Sequence, residues 1–134
     1  MNELFCVACK KNVIANLVRG DALFGRYSLY KDASFMCCPF CRNYAEFNPA
    51  TQKPFSVIPD AGLRKAYNYV QGKANLLIMQ KVMDESAVWK EIGRRIADPS
   101  GSFVLRECRD IQIARNAYRA VCAMVKEKIY HETF

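Results

Sequence analysis

Cys6-Val7-Ala8-Cys9 and Cys38-Pro39-Phe40-Cys41 carry the most legible chemistry in this chain. A two-residue gap lets a tight turn aim both sulfurs at one point. Two such turns supply the four soft thiolates that suit a tetrahedral Zn²⁺. The 28 residues between the pairs exceed the roughly 15–20 of the usual template, so the spacing predicts a zinc ribbon with an extended hairpin. A redox role would need a βαβ context that the flanking pattern lacks, and buried free thiols are the plainer alternative. Cys37 adjoins Cys38, but only Cys38 repeats the two-residue gap, which sends Cys37 into the core or to the edge of the site. Four thiolates close the coordination shell and leave no position for water or substrate, so the expected zinc is structural. Loading it takes the formal charge of +7 to about +5, because coordination deprotonates the ligands.

The seven cysteines are an odd number, and Met1 to Gly20 has cysteines and lysines where a secretory segment has its apolar region. A reducing, cytoplasmic compartment is therefore expected, with no membrane partner. Leu76-Leu77-Ile78-Met79 is far too short to span a bilayer. Cys108 and Cys122 read as buried structural residues.

The elements that must position the knuckles are short strands. Asn12 to Val18 alternates apolar residues, Gly20-Asp21 reads as a turn, and Arg26 to Tyr30 alternates again before Phe35 leads into the second knuckle. Tyr44 to Phe47 adds a last strand, and Asn48 to Pro54 is an irregular connector. Beyond Pro59 the period becomes helical. Asp60 can cap a helix bearing Leu63, Ala66, Tyr67, Val70, Ala74, Leu77 and Ile78, with Gly72 a place for a kink. Ser86 can start a second helix with Val88, Trp89, Ile92 and Ile96 on one face, stopped by Asp98-Pro99-Ser100-Gly101. A third runs to about Tyr130 on a stripe of Ile111, Ala114, Tyr118, Val121, Cys122, Val125 and Ile129. Phe103 to Cys108 fits either that helix or an extended connector. The predicted fold is α+β: a zinc ribbon over residues 1–58, packed with a bundle of about three helices over 59–134 as one unit.

Basic residues form the second signal. Arg115, Arg119 and Lys126 share one flank of the last helix, Arg94-Arg95 end the preceding one, and Lys10, Lys11 and Arg42 adjoin the knuckles. Such a surface can track phosphates, although Glu107, Asp110, Glu127 and Glu132 are interspersed and a solvated face accounts for it too. Phe24, Tyr27, Tyr30 and Tyr44 can stack bases or fill a small core. Catalysis is not expected. The only histidine, His131, stands three residues from the C-terminus, so neither a Ser-His-Asp triad nor a histidine-held catalytic metal is expected, and no glycine-rich phosphate loop or zinc-protease helix is present.

The two knuckles, the Asn48-Pro49-Ala50-Thr51-Gln52-Lys53-Pro54 stretch and Asp60-Ala61-Gly62-Leu63-Arg64 together resemble a family of phage and bacterial proteins described only as containing a zinc-finger domain of unknown function. The likeness covers roughly residues 5–65. Departures are Asn48 in place of a common histidine, Ala50 for glycine and Lys10 for the usual glycine after the first knuckle. The resemblance implies zinc on the cysteines at 6, 9, 38 and 41 in a prokaryotic or phage setting, and carries no activity. Two expectations follow: a binding module that contacts nucleic acid, or a phage-encoded factor that inhibits a host nucleic-acid-processing complex such as a CRISPR effector or RNA polymerase.

Overall fold

Period-two alternation builds the strand that leads into the first cysteine pair. In β1 (Glu3–Cys6) Leu4 and Cys6 turn inward and Glu3 outward, as a half-buried strand requires. This computed structural model describes residues 3–48, 53–54 and 56–130. The chain forms an α+β fold divided into two compact units, Met1–Ala61 and Gly62–Phe134.

In the first unit β1 pairs antiparallel with β2 (Lys11–Ile14), Leu4 opposite Val13. Further along come β3 (Asn16–Arg19), α1 (Gly20–Phe24), β4 (Ser34–Cys37), β5 (Tyr44–Asn48), β6 (Lys53–Pro54) and β7 (Val57–Ile58). Strand β7 returns to lie parallel to β1, which gives a three-stranded sheet of order β2-β1-β7. The other sheet is four-stranded and antiparallel, in the order β3-β4-β5-β6. Leu4, Cys6, Val13, Ala15, Met36, Cys38, Ala45 and Ile58 make one buried cluster drawn from both sheets.

Three sequence expectations are corrected here. The run from Asn12 to Val18 is two strands, separated at the buried Ala15, rather than one. Gly20-Asp21 starts the one-turn helix α1 instead of a plain turn. Arg26 to Tyr30 is no strand; it lies in a loop of successive turns. The cause is local hydrogen bonding. The Gly20 N–H donates to Ala33 O at 2.8 Å and the Asp21 N–H to Lys31 O at 3.0 Å, which closes the segment on itself. Only glycine fits at position 20, because a Cβ there would lie 1.6 Å from Tyr30 O. Phe24 sits edge-on to Tyr30, Phe35 and Tyr44 in a ring cluster anchored on the buried Phe35, with Phe24 and Tyr30 on its exposed side. Tyr27 remains outside it, 87 % exposed.

The second unit consists of α2 (Ala61–Met79), α3 (Glu85–Arg95), a 3₁₀ turn at Leu105–Glu107 and α4 (Ile111–Lys128). Helix α2 runs unbroken through Gly72 and buries Leu63, Tyr67, Val70, Ala74 and Leu77. Helix α3 begins one residue before Ser86, because the Asp84 carboxylate accepts from the Ala87 N–H at 2.7 Å and acts as the cap. Asp110 caps α4 likewise through Gln112. On α4 the buried stripe is Ala114, Ala117, Val121, Met124 and Val125. Tyr118 and Cys122 are only half-buried at its edge, so the true face is rotated relative to the expected one.

Phe103 to Cys108 is neither helix nor extended throughout. It is a half-buried crossing that carries the 3₁₀ turn, with Phe103, Leu105 and Cys108 inside and Val104, Arg106 and Glu107 exposed. The Tyr67 hydroxyl donates to Cys108 O, and the Phe103 N–H donates to Trp89 O at 3.0 Å. Among the described residues, no helix is long and apolar enough to cross a membrane.

Candidate metal centre

Each cysteine pair sits on a turn that follows a strand, and the two turns repeat one another. After β1 the Lys10 N–H donates to Cys6 O at 2.8 Å; after β4 the Arg42 N–H donates to Cys38 O at 3.1 Å. Lys10 and Arg42 both occupy the left-handed region, at φ 58° and 65°. That conformation turns the chain sharply after the second cysteine of each pair and normally favours glycine. Strand periodicity sets the depth of the sulfurs. Leu4 and Cys6, like Met36 and Cys38, point to one face two residues apart, so Cys6 and Cys38 are fully buried. Cys9 and Cys41, out on the turns, are half-buried.

The four sulfurs converge, all within 4.8 Å of one another. Cys6 Sγ lies 3.4 Å from Cys41 Sγ, and Cys9 Sγ lies 3.8 Å from Cys38 Sγ. A tetrahedral ion with sulfur at about 2.3 Å requires sulfur–sulfur edges of about 3.8 Å, so the donor set fits such an ion. These separations are far beyond the ~2.05 Å of a disulfide, and all seven cysteines are free thiols. The cluster could therefore hold a metal ion, and its all-sulfur composition is compatible with zinc.

Electrostatics explain why four thiols alone are an awkward group. Burial pushes Cys6 up to about 12, reinforced by hydrogen bonds with its cysteine neighbours and opposed by the Cys9 backbone. Burial also raises Cys9. At Cys41 burial acts upward too, but hydrogen bonds from the Asn43 backbone, the Cys6 thiol and the Asn43 side chain outweigh it and bring that thiol down to about 7. Only a cation at the centre would let all four ionise together. Cys37 stands apart: its thiol donates to Cys38 O at 3.6 Å, and it does not belong to the converging group.

Asn43 is a supporting residue that the cysteine spacing does not reveal. Its Nδ2 donates to Cys41 Sγ at 3.4 Å and its carbonyl accepts from the Cys38 N–H at 2.8 Å, so one residue ties the second turn together and supports a ligand sulfur. It stands two residues beyond Cys41, a position that the two-residue gaps do not mark. Phe40 is a second such residue. It is 67 % exposed between the second pair of cysteines, and Lys11 Nζ lies 4.2 Å from its ring centre.

The expected basic surface is dispersed. Lys10, Lys11 and Arg42 are exposed around the cysteine turns. Arg94 and Arg95 are engaged: both pair with Glu91, and Arg95 forms a two-point bridge to Glu127 at 2.7 and 2.8 Å. Arg115, Arg119 and Lys126 lie exposed on α4, and none is in an ion pair among the described residues. His131 lies outside the described residues.

Fold and site together define an α+β protein whose first unit gathers four cysteine sulfurs able to hold a metal ion. Comparisons of the chain with protein-family models, with curated proteins and with solved structures find no match.

Proposed function

We propose that the protein is a zinc-stabilised, non-catalytic binding module of phage or bacterial type that works in a reducing cytoplasm and contacts nucleic acid. The observation that carries the zinc assignment is the convergence of four thiol sulfurs within 4.8 Å. Cys6, Cys9, Cys38 and Cys41 would hold the ion, which supplies structural cross-linking of two turns and leaves no open position for substrate. Support for nucleic acid comes from the formal charge of +7 and from Arg115, Arg119 and Lys126, exposed on α4. Metal analysis of the purified protein tests the first half, with one zinc per chain expected. Salt-dependent binding to random DNA and RNA tests the second. Neutralising the three α4 cations together should reduce the log–log salt slope by roughly 0.7–0.9 for each phosphate deprived of its cation, for every sequence alike. An unchanged slope with intact helix would remove this flank from the binding surface.

A second reading, a factor that docks on a host nucleic-acid-processing protein, draws on a different feature. Tyr27 and Leu29 are 87 % and 96 % exposed on the hydrogen-bonded loop after α1, and apolar anchors on an ordered backbone suit a protein pocket. Pull-down from host lysate with Tyr27→Ser/Leu29→Ser protein as the control separates this reading from the first.

A further inference from the structure

Helices α2 and α4 enclose a groove of about 260 Å³ that combines rings and positive charge. Tyr69 and Tyr118 form its aromatic part, with ring centres 5.8 Å apart and planes tilted by 50°. Tyr69 is 53 % exposed although it is large and mostly apolar. Lys65 Nζ lies 5.9 Å from the Tyr69 ring centre, and Arg115 lines the groove from α4. Gly62, Ala66 and Ile111 complete it, and no carboxylate lies among the described lining residues. Neither Lys65 nor Arg115 is in an ion pair among the described residues. Arg119 follows one turn beyond Arg115 on the same helix, about 6 Å along the axis.

Two tilted, part-open rings offer a stacking surface, and two cations outside any ion pair offer phosphate partners at the rim. We infer that this groove binds single-stranded nucleic acid, one base stacking on Tyr69 and Tyr118 while Lys65 and Arg115 engage the flanking phosphates. A single strand is the occupant because its base faces are free to stack, whereas a duplex hides them. The absence of carboxylates among the described lining residues matches the polyanion. This deepens the nucleic-acid reading above and rests on it.

The test uses the full-length zinc-loaded protein and a fluorescein-labelled oligo(dT) 12-mer, followed by anisotropy at several salt concentrations. A duplex of equal length and poly-glutamate serve as competitors. Tyr69→Leu and Tyr118→Leu should each weaken oligo(dT) binding about tenfold, because the base has no ring to stack on, while Tyr118→Phe retains it. Lys65→Gln with Arg115→Gln should lower the salt slope, whereas Lys90→Gln on α3 should not. Helical circular dichroism checks each variant, and if a leucine variant loses helix the charge pair and Tyr118→Phe carry the test. Oligo(dT) binding that ignores both tyrosines and the charge pair would overturn the groove and leave the broader nucleic-acid reading standing. Poly-glutamate competing as well as oligo(dT) at equal charge would also overturn it, in favour of an acidic protein partner. No binding of any nucleic acid at low salt would overturn both.

Discussion

Cys37 and Cys38 are neighbours in the chain and both buried, yet only one sulfur joins the cluster. Cys37 ends β4 and Cys38 follows it directly, and adjacent side chains of an extended chain leave on opposite faces. Cys38→Ser should lose the metal and the order of the first unit, whereas Cys37→Ser should keep about one zinc per chain. Metal analysis of the two variants reads the difference, and equal loss would show the assignment to be wrong. Lys10 and Arg42 carry a different kind of signal. Both hold φ near +60°, which costs a side-chain-bearing residue roughly 1 kcal/mol. Arg42→Gly should therefore stabilise the zinc-loaded first unit by about 0.5–1 kcal/mol, measured by urea unfolding at constant excess zinc. A fall in stability would mean that the Arg42 side chain contributes more than its backbone costs.

At the scale of the elements, two glycines in the helical unit act oppositely. Gly93 lies where the chain crosses back over α3: a Cβ there would stand 2.9 Å from both Ser102 Cα and Phe103 N. Those are backbone atoms anchored by the Phe103 hydrogen bond to Trp89 O, so they cannot yield cheaply. Gly72, in contrast, has nothing within 4 Å of its Cβ position inside a continuous helix. Gly93→Ala should lower the melting temperature of the helical unit. Gly72→Ala should raise its stability by about 0.5–1 kcal/mol through helix propensity. Thermal unfolding followed at the helical dichroism band checks both, and a neutral Gly93→Ala would mean that the crossing shifts freely.

For the whole molecule, the two units rely on different forces. The first spreads its short strands over two sheets, draws Cys6 and Cys38 into its buried cluster and packs Cys9 and Cys41 against it, so the proposed zinc contributes directly to its folding. The second buries Leu63, Val70, Leu77, Val88, Ile92, Val121 and Met124, and its described residues contribute nothing to the cysteine cluster. Chelation should erase the order of the first unit and leave most of the helical circular dichroism. Complete loss of that signal would show that the helices depend on the first unit for their stability.

The sequence by itself determined the four sulfurs, because a two-residue gap is a local geometric constraint that holds in almost any surrounding fold. It also determined the existence of three long helices, since each carries its apolar period within its own span. The tertiary structure alone decided what depends on distant partners. The parallel return of β7 to β1 joins segments far apart in the chain, Phe5 to Val57 and Cys6 to Ile58, and nothing in Val57-Ile58 announces its mate. Arg26 to Tyr30 alternates like a strand, yet Gly20 and Asp21 claim its neighbours' carbonyls and close it into a loop. The buried face of α4 turned past Tyr118 toward Ala117 and Met124, because tertiary burial rather than residue type selects among adjacent apolar positions. Arg95 left the basic surface for Glu127, 32 residues away in the chain, a pairing that only the folded chain brings within reach.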